Sequence, residues 1–468
     1  MTARTQSIGR PFVLRVLARG VVLARERRWS RRQVEERQRR RFTSFLRYVR
    51  AHSPFYAEVM RERGLEPESA RPTDFPVLTK ADFVRHFDRI VTRPGLNRAR
   101  LEAFLLRSRD PNELLDGRYV VVHTSGSSGV VGYCAYTLAE WIDGWSRFFH
   151  LVPKRGRLPR RTAFVGVIDG HYAAVSLAVT ARWAGLGLVS RAELIDCNQP
   201  TRAIIDSLNR CRPHYLSCYG SFLGELVAAR QRGSLAIRPA AIITGADPLP
   251  ESDRARAEQV FGVPVLDIYA CTESMIIGMR GPDTQGLVLF EEDLWVECEA
   301  GRVLVTSMLN RTTPLIRYEI PDILSPAVPE SYRLYPGYRR AGSLAGRREN
   351  RLSLVNEHGE EDSIHPFTII EFFVPGLDRF QAVRTGPAEV LFRVKPAAGL
   401  SPDAVAALLL ATRRRWDDIL ASRQMRNVRL SVELVDSLPS DPRTGKFRIV
   451  DSRWPPAEAP RREDPAPE

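Results

Sequence analysis

Apolar positions along the chain follow two spacings. Residues 11–24 (PFVLRVLARGVVLA) and 31–50 carry theirs at helical intervals, with Phe42, Phe45, Leu46 and Val49 as the stripe of the second segment. From residue 118 short β-rich runs alternate with helical stretches. Tyr119–His123 (YVVVH), 163–168, 186–190, 215–218, 240–244 and 265–269 predict buried strands. Leu138–Leu151, Ala173–Trp183, 201–210, 221–232 and 250–261 predict the helices between them. Strand and helix alternating over this length indicate an α/β fold with a parallel sheet covered by helices. After residue 286 the chain is richer in strand and turn, with a strand predicted at 302–306. The glycines of 341–347 (AGSLAGR) break the pattern and mark a domain boundary. Beyond it, strands at 389–394 and 428–435 and a helix at 402–421 suffice for a small α+β domain. The expected organisation is a basic helical arm (1–50), a large domain (51–345), a small C-terminal domain (346–453) and a disordered, Pro- and charge-rich tail (454–468).

Composition narrows the class. The chain has 468 residues, 44% of them hydrophobic, 26% charged and 9% aromatic, which describes a globular protein of two to four domains. No apolar run is long enough to span a bilayer. Six dispersed cysteines without a CxxC pair, and no secretory leader, suit a reducing cytoplasm. The net charge of +14 is concentrated: fifteen arginines against Glu26, Glu35 and Glu36 give the first fifty residues +12, leaving +2 for the rest. The basic character therefore belongs to the arm, and nucleic acid is not an expected partner. Arg15 and Arg19 share one helical face. The arm suits an anionic membrane surface or an acidic partner, but a helix packed on the body is the preferred reading. Only four lysines occur, Lys80, Lys154, Lys395 and Lys446, so a lysine at a chemically suggestive place is informative.

Four motifs carry chemistry. Residues 123–129 (HTSGSSG) follow the run YVVVH, and Thr124, Ser125, Gly126, Ser127, Ser128 and Gly129 can wrap around phosphates through hydroxyls and exposed backbone N–H groups. A mobile polar turn has the same composition. Residues 268–274 (IYACTES) end a buried run, where ligands gather in parallel sheets. Tyr269 could stack on a base, Thr272 bond a phosphate and Glu273 hold Mg²⁺; taken singly, Glu273 is an ordinary surface acid. Within 314–323 (PLIRYEIPDI), Asp322 could accept bonds from two ribose hydroxyls, or serve as a turn acid. Residues 443–448 (RTGKFR) place Lys446 on a glycine-containing loop, from which an ammonium can reach a phosphate or carboxylate or simply face solvent.

In type, order and spacing these motifs resemble the adenylate-forming (acyl-CoA synthetase-like) superfamily. The closest match is its phenylacetate–coenzyme A ligase-like branch, which includes capsular polysaccharide biosynthesis proteins. The resemblance runs from about residue 40 to residue 450. Residues 52–64 (HSPFYAEVMRERG) and 75–83 (FPVLTKADF) look like the branch's N-terminal signature. Residues 244–249 (TGADPL), with Gly245, Ala246 and Asp247, resemble the segment lining adenine and ribose. Residues 317–322 (RYEIPD) take the place of RYRTGD, Gly346 and Arg347 resemble the hinge of a mobile C-terminal domain, and Lys446 falls at the adenylation lysine.

The resemblance implies a large ATP- and acid-binding domain followed by a small mobile one, with ATP and Mg²⁺ as cofactors. A small carboxylic acid attacks the α-phosphate, giving an acyl adenylate and pyrophosphate. Ser125, Ser127 and Ser128 then grip the pyrophosphate, Glu273 coordinates Mg²⁺, and Asp322 and Arg347 fix the ribose. Lys446 bridges the attacking carboxylate and the developing phosphorane. The adenylate passes to a nucleophile, most readily coenzyme A, giving a thioester. An amide- or ester-forming ligase, and a degenerate nucleotide-binding homologue, stay open, and a homodimer is compatible.

Departures bear on the second step. Val130 and Val131 stand where the family's phosphate loop often has Lys-Pro, and Glu319, Ile320 and Pro321 alter the RYRTGD turn. The acceptor-side loop is 354–362 (LVNEHGEED), whose four acids would repel a coenzyme A phosphate, so the motifs support adenylation more than thioester formation. The acid pocket is expected at Asp169, His171, Tyr172, Tyr219 and Phe222, whose rings favour an aryl or planar acid, although core packing explains them equally. Cys197, Cys211, His214 and Cys218 form a loose set of zinc-type ligands whose spacing matches no familiar module.

Overall fold

The computed structural model describes residues 11–124, 132–152, 158–168, 170–197, 201–246, 249–281, 286–299, 302–320, 322–324, 335–342, 344–347, 352–359, 361–364, 376–397, 399–422, 424–439 and 448–452, with a few isolated positions between. It divides into two compact units, one reaching Leu344 and one beginning at Ala345.

In the larger unit the described residues form an α/β core. Strands β1 (Tyr119–His123) and β2 (Tyr133–Thr137) pair antiparallel, from Tyr119 opposite Thr137 to His123 opposite Tyr133. Strands β3 (Arg160–Gly166), β4 (Ser190–Asp196), β5 (Tyr215–Tyr219), β6 (Ala241–Gly245) and β7 (Val265–Cys271) are parallel in the order β4-β3-β5-β6-β7. Strands β8 (Met275–Arg280) and β9 (Leu287–Leu289) continue this sheet antiparallel, and Arg340–Ala341 closes it.

Two expectations are corrected. The run YVVVH is a strand, but its neighbour is β2 in a two-stranded sheet of its own. Residues 186–190 are mostly turn: Leu186 N–H bonds the Ala181 carbonyl and Val189 N–H that of Leu186. The strand starts at Ser190 and runs at the sheet edge with Arg191 and Glu193 exposed, so it lacks the continuous apolar run of a central strand.

Helix boundaries follow local chemistry. Thr137 caps Leu138–Leu151 and pairs reciprocally with Glu140, and Ser30 does the same with Gln33 at the start of Arg31–His52. Arg31–His52 buries Val34, Phe42, Phe45, Leu46 and Val49.

The first fifty residues, set apart in the sequence as an arm, are built into the larger unit from Pro11 onward. Helix Pro11–Glu26 packs on Leu138–Leu151 and buries Val16 and Leu23. Its charge is answered by acids from distant segments. Arg15 pairs with Asp143 at 2.5 Å, and Arg19 with Asp293. Glu26 takes Arg147 at 2.9 Å, while Arg147 also pairs with Glu292. From the second helix Arg41 meets Asp293 at 2.6 Å, and Arg31 pairs with Glu291.

The smaller unit has a hairpin of Leu352–Val355 and Glu361–Ile364, and a four-stranded sheet ordered Arg429–Leu434, Glu389–Pro396, Leu377–Gly386, Val450–Asp451. Its core gathers Phe372, Phe392 and Trp416, the last from helix Pro402–Ser422. The acid-rich acceptor-side segment proposed from the sequence spans the hairpin turn, with Leu354 opposite Asp362.

Candidate active site

The connection between β1 and β2 is held at its two ends. Thr124 N–H donates to the Gly132 carbonyl, and Gly132 N–H donates back to Thr124 Oγ1, both at 2.9 Å. The motif from 123 to 129 thus lies on a hairpin connection, not on a strand-to-helix turn. Lys80 reaches the same place: a methyl carbon on the Gly132 Cα would meet Thr124 Cγ2 at 3.5 Å and Lys80 Cε at 3.6 Å.

Lys80 opens helix Lys80–Arg85, capped by Thr79, whose Oγ1 accepts the Asp82 N–H at 3.2 Å. The preceding Leu78 is clamped on both sides: its N–H donates to the Arg317 carbonyl and its carbonyl accepts the Glu319 N–H, each at 3.0 Å. This bridge lines Leu78 up beside Tyr318. Arg317, whose φ of 50° lies in the left-handed region, adds a guanidinium bond to the Phe75 carbonyl at 3.1 Å.

The second cluster sits where β7 turns into β8. Glu273 is 6% exposed, and the Tyr318 hydroxyl donates to its Oε1 at 2.8 Å. The Thr272 carbonyl accepts the Tyr136 hydroxyl at 2.9 Å, and Met275 has a φ of 62°. Burial, then the Glu273 carboxylate, push the Tyr318 phenol well above its ordinary pKa, so it stays protonated as a donor. The buried Cys134 thiol feels both clusters: desolvation and Glu273 raise its pKa, while Lys80 opposes them. Tyr269 lies almost fully buried in β7 opposite Gly278.

Strand β6 ends at Gly245, where a Cβ would come within 3.1 Å of the Ile268 carbonyl oxygen. Ala246 follows with a φ of 70°, a conformation that disfavours side chains and recurs at functional turns. Asp322 is 6% exposed and begins the short strand Asp322–Leu324. Arg347 ends Leu344–Arg347. Ser125, Gly126, Ser127, Ser128, Gly129, Asp169, Asp247 and Lys446 lie outside the described residues.

Four of the residues proposed for the acid pocket are described. Tyr172, Tyr219 and Phe222 join one apolar cluster with Phe164, Val175 and Ala246. Tyr219 is buried and its hydroxyl accepts the Val167 N–H at 3.2 Å, whereas Tyr172 and Phe222 are half-buried. His171 turns into the core, where Nε2 meets Ser108 Oγ at 3.1 Å and the ring lies 4.9 Å from that of Phe104. Burial, helped by His123, lowers its pKa.

The zinc-type set does not converge. Cys218, on β5, is buried in the core, Cys197 and Cys211 pack on the same cluster, and His214 Nδ1 accepts the Arg161 N–H at 3.1 Å. Among the described residues, no group of three or more His, Cys, Asp and Glu side chains is arranged to hold a metal ion.

Sequence reasoning did not single out Tyr136 and Tyr318, whose hydroxyls bond Thr272 and Glu273, although Tyr318 lies inside a motif already singled out.

No protein-family model matches the chain. Curated relatives do. The phenylacetate-coenzyme A ligase of Escherichia coli (strain K12) is 23% identical over 350 residues, 68% of this chain and 72% of the relative. Protein CapK of Staphylococcus aureus is 21% identical over 61% of this chain and 62% of its own length. Among solved structures, 2-hydroxyisobutyryl-CoA ligase in the postadenylation state, in complex with R3-HIB-AMP, aligns with a TM-score of 0.69 and 17% identity over 92% of each chain. The chain is therefore a distant relative of the phenylacetate-coenzyme A ligases and has the fold of the adenylate-forming ligases.

Proposed function

We propose that this protein is an AMP-forming ligase that activates a small carboxylic acid as its acyl adenylate and passes the acyl group to coenzyme A. The observation that carries the reading is the buried Glu273 carboxylate, held by the Tyr318 hydroxyl on the turn after β7. A carboxylate retained at such burial is costly unless it meets a cation or a polar ligand.

The chain's own residues then divide the work. Thr124 and the hydroxyls and amides of residues 125–129 receive the phosphates, Gly245, Ala246 and Asp322 frame the nucleoside, and Tyr172 and Phe222 face the acid. Lys446 stabilises the charge that grows on the α-phosphate as the carboxylate attacks. Glu273 and Thr272 fit an Mg²⁺ site of the kind that uses one carboxylate and leaves the other positions to substrate phosphates, neutralising phosphate charge. Positioning and electrostatics supply the catalysis, which suits a site that uses no side-chain nucleophile.

The named activity of the relatives supports coenzyme A as acceptor. The free thiols of all six cysteines suit a reducing compartment such as the cytoplasm.

ATP–pyrophosphate exchange, measured across a panel of aryl and short aliphatic acids, tests the first half. Exchange with at least one acid is expected; folded protein that exchanges with none contradicts the reading. Product analysis with coenzyme A, amines and alcohols tests the second half, and an amide or ester as sole product overturns the assignment of coenzyme A.

A further inference from the structure

We infer that the outward face of helix Pro11–Glu26 lies on an anionic membrane surface, so that the protein docks on a lipid bilayer through its first helix. The inference goes beyond the ligase reading and does not depend on it.

The helix has two apolar faces. One packs on the body through Val16 and Leu23. The other carries Leu14, Leu17 and Val21, which are 66%, 59% and 55% exposed, with Ala18 and Ala24 exposed beside them. Positions 14, 17, 18, 21, 24 and 25 recur at intervals of three and four residues, so they form one stripe on the side turned away from the body. A helix on a globular body ordinarily turns charges outward. Among the described residues eight large aliphatic side chains stand exposed, and three of them share this stripe. Scattered exposed leucines need no explanation, but an aligned set does.

The charge along the stripe has one sign. Arg25 continues it into the last turn, and Arg28 follows just beyond the helix. Both are exposed, and neither guanidinium has an ion pair or hydrogen bond among the described residues. The one acid of the helix, Glu26, is wholly buried on the inner side, where it meets Arg19 and Arg147. Arg15 and Arg19 are likewise answered, by Asp143 and Asp293. Two uncommitted cations beside an aliphatic stripe without an acid are complementary to anionic head groups above acyl chains.

Other occupants fit less well. At 16 residues the helix is too short to cross a bilayer, and no described helix is long and apolar enough to do so. A second copy would meet the stripe with the same patch, which offers no acid to Arg25 and Arg28. One helix face also falls short of the roughly 20–30 residues a side of a stable protein interface. The stripe has no Trp, Tyr or Phe to anchor a protein partner.

Flotation of the full-length protein with vesicles tests the inference. Vesicles of phosphatidylcholine alone are compared with vesicles of equal parts phosphatidylcholine and phosphatidylglycerol, at low and at high salt. Wild type should float with the anionic vesicles at low salt and not with the neutral ones. Two arginines near a charged surface contribute about 10- to 30-fold together, so Arg25→Gln with Arg28→Gln should weaken vesicle binding by that factor and blunt its salt dependence. Leu14→Gln, Leu17→Gln and Val21→Gln together should weaken it roughly tenfold or more at unchanged charge. Glutamine is a good helix former and every substituted side chain is exposed, so both variants should melt with wild type. If the triple variant does not fold, Leu14→Gln with Leu17→Gln carries the same comparison. Wild type that ignores anionic vesicles overturns the inference. So does binding that falls in the arginine variant but not in the aliphatic one, which is charge without insertion. A lipid-independent dimer that the aliphatic variant breaks overturns it as well and gives the face to a second copy. Folded protein that binds anionic vesicles through the stripe yet exchanges with no acid would remove the ligase reading and leave this one standing.

Discussion

Tyr318 donates its hydroxyl to Glu273 Oε1 at 2.8 Å, tying the turn after β7 to a residue forty-five positions further along the chain. The same tyrosine lies beside Leu78, two residues before Lys80, through the paired bonds of Arg317 and Glu319. One residue therefore holds the Glu273 carboxylate, while its two backbone neighbours fix the segment that leads into the helix at Lys80.

Tyr318→Phe keeps the ring but leaves a buried carboxylate oxygen without its donor. A cost of about 1–3 kcal/mol is expected, read from urea unfolding. Glu273→Gln keeps an acceptor for Tyr318 and so should unfold near the wild-type midpoint, while exchange activity shifts to much higher Mg²⁺. An unchanged Mg²⁺ dependence in Glu273→Gln would remove Glu273 from the metal site.

Arg147 is buried between Glu26 and Glu292, with Asp293 close by. Replacing it with Met removes the cation that Glu26 and Glu292 share and leaves Glu26, Glu292 and Asp293 to Arg19 and Arg41. Breaking such a network from one side costs about 3–5 kcal/mol, far above the value of a surface pair. Arg100 pairs with Asp116 at 2.7 Å on the exposed surface, and circular dichroism melting of Arg147→Met beside Arg100→Met reads the contrast. Similar small losses in both would mean that the buried network is compensated by water.

That network also predicts acid sensitivity. Burial pushes the Asp293 carboxyl upward, but Arg19, Arg41 and Arg147 outweigh it and hold the pKa well below the ordinary carboxylate range. A depressed folded pKa contributes stability that is complete above the unfolded value of about 4 and is lost as pH falls toward the folded one. Unfolding free energy should therefore decline below about pH 5. Asp293→Asn should flatten that decline; a slope equal to wild type would assign the acid loss to other carboxylates.

The sequence made the local elements legible where period and end signals agreed. Leu138–Leu151 and Ala173–Trp183 match the observed helices at both ends, and Tyr119–His123 matches its strand. What periodicity cannot carry is partner choice. Nothing in YVVVH distinguishes a central parallel strand from one arm of a hairpin, and the alternating SRAELID of β4 hides an edge strand behind its charges. Charge counting located the arm, and a helix packed on the body was its preferred reading, but the partners of its arginines, Asp143 and residues 291–293, lie more than a hundred positions away and needed the fold. The motif singled out Glu273, but that Tyr318 donates to it needed the fold.

The residues proposed for the acid pocket separate into core and candidate site. His171 is occupied by Ser108 and Phe104, while Tyr172 and Phe222 remain half-buried within one cluster. His171→Ala should lower stability by about 1–3 kcal/mol through the stranded Ser108 hydroxyl and the lost packing, with the ranking of acids in the exchange assay unchanged. Because burial and His123 lower its pKa, His171 stays neutral in the fold. Its contribution is complete above the unfolded value near 6.5 and is lost as pH falls through the lowered folded value. Tyr172→Ala and Phe222→Ala should instead unfold close to wild type, raise KM for planar acids and leave KM for ATP unchanged. If the ranking of acids moves with His171 and stays fixed in both aromatic variants, the pocket lies on the Ser108 side of the histidine, and Tyr172 and Phe222 are core.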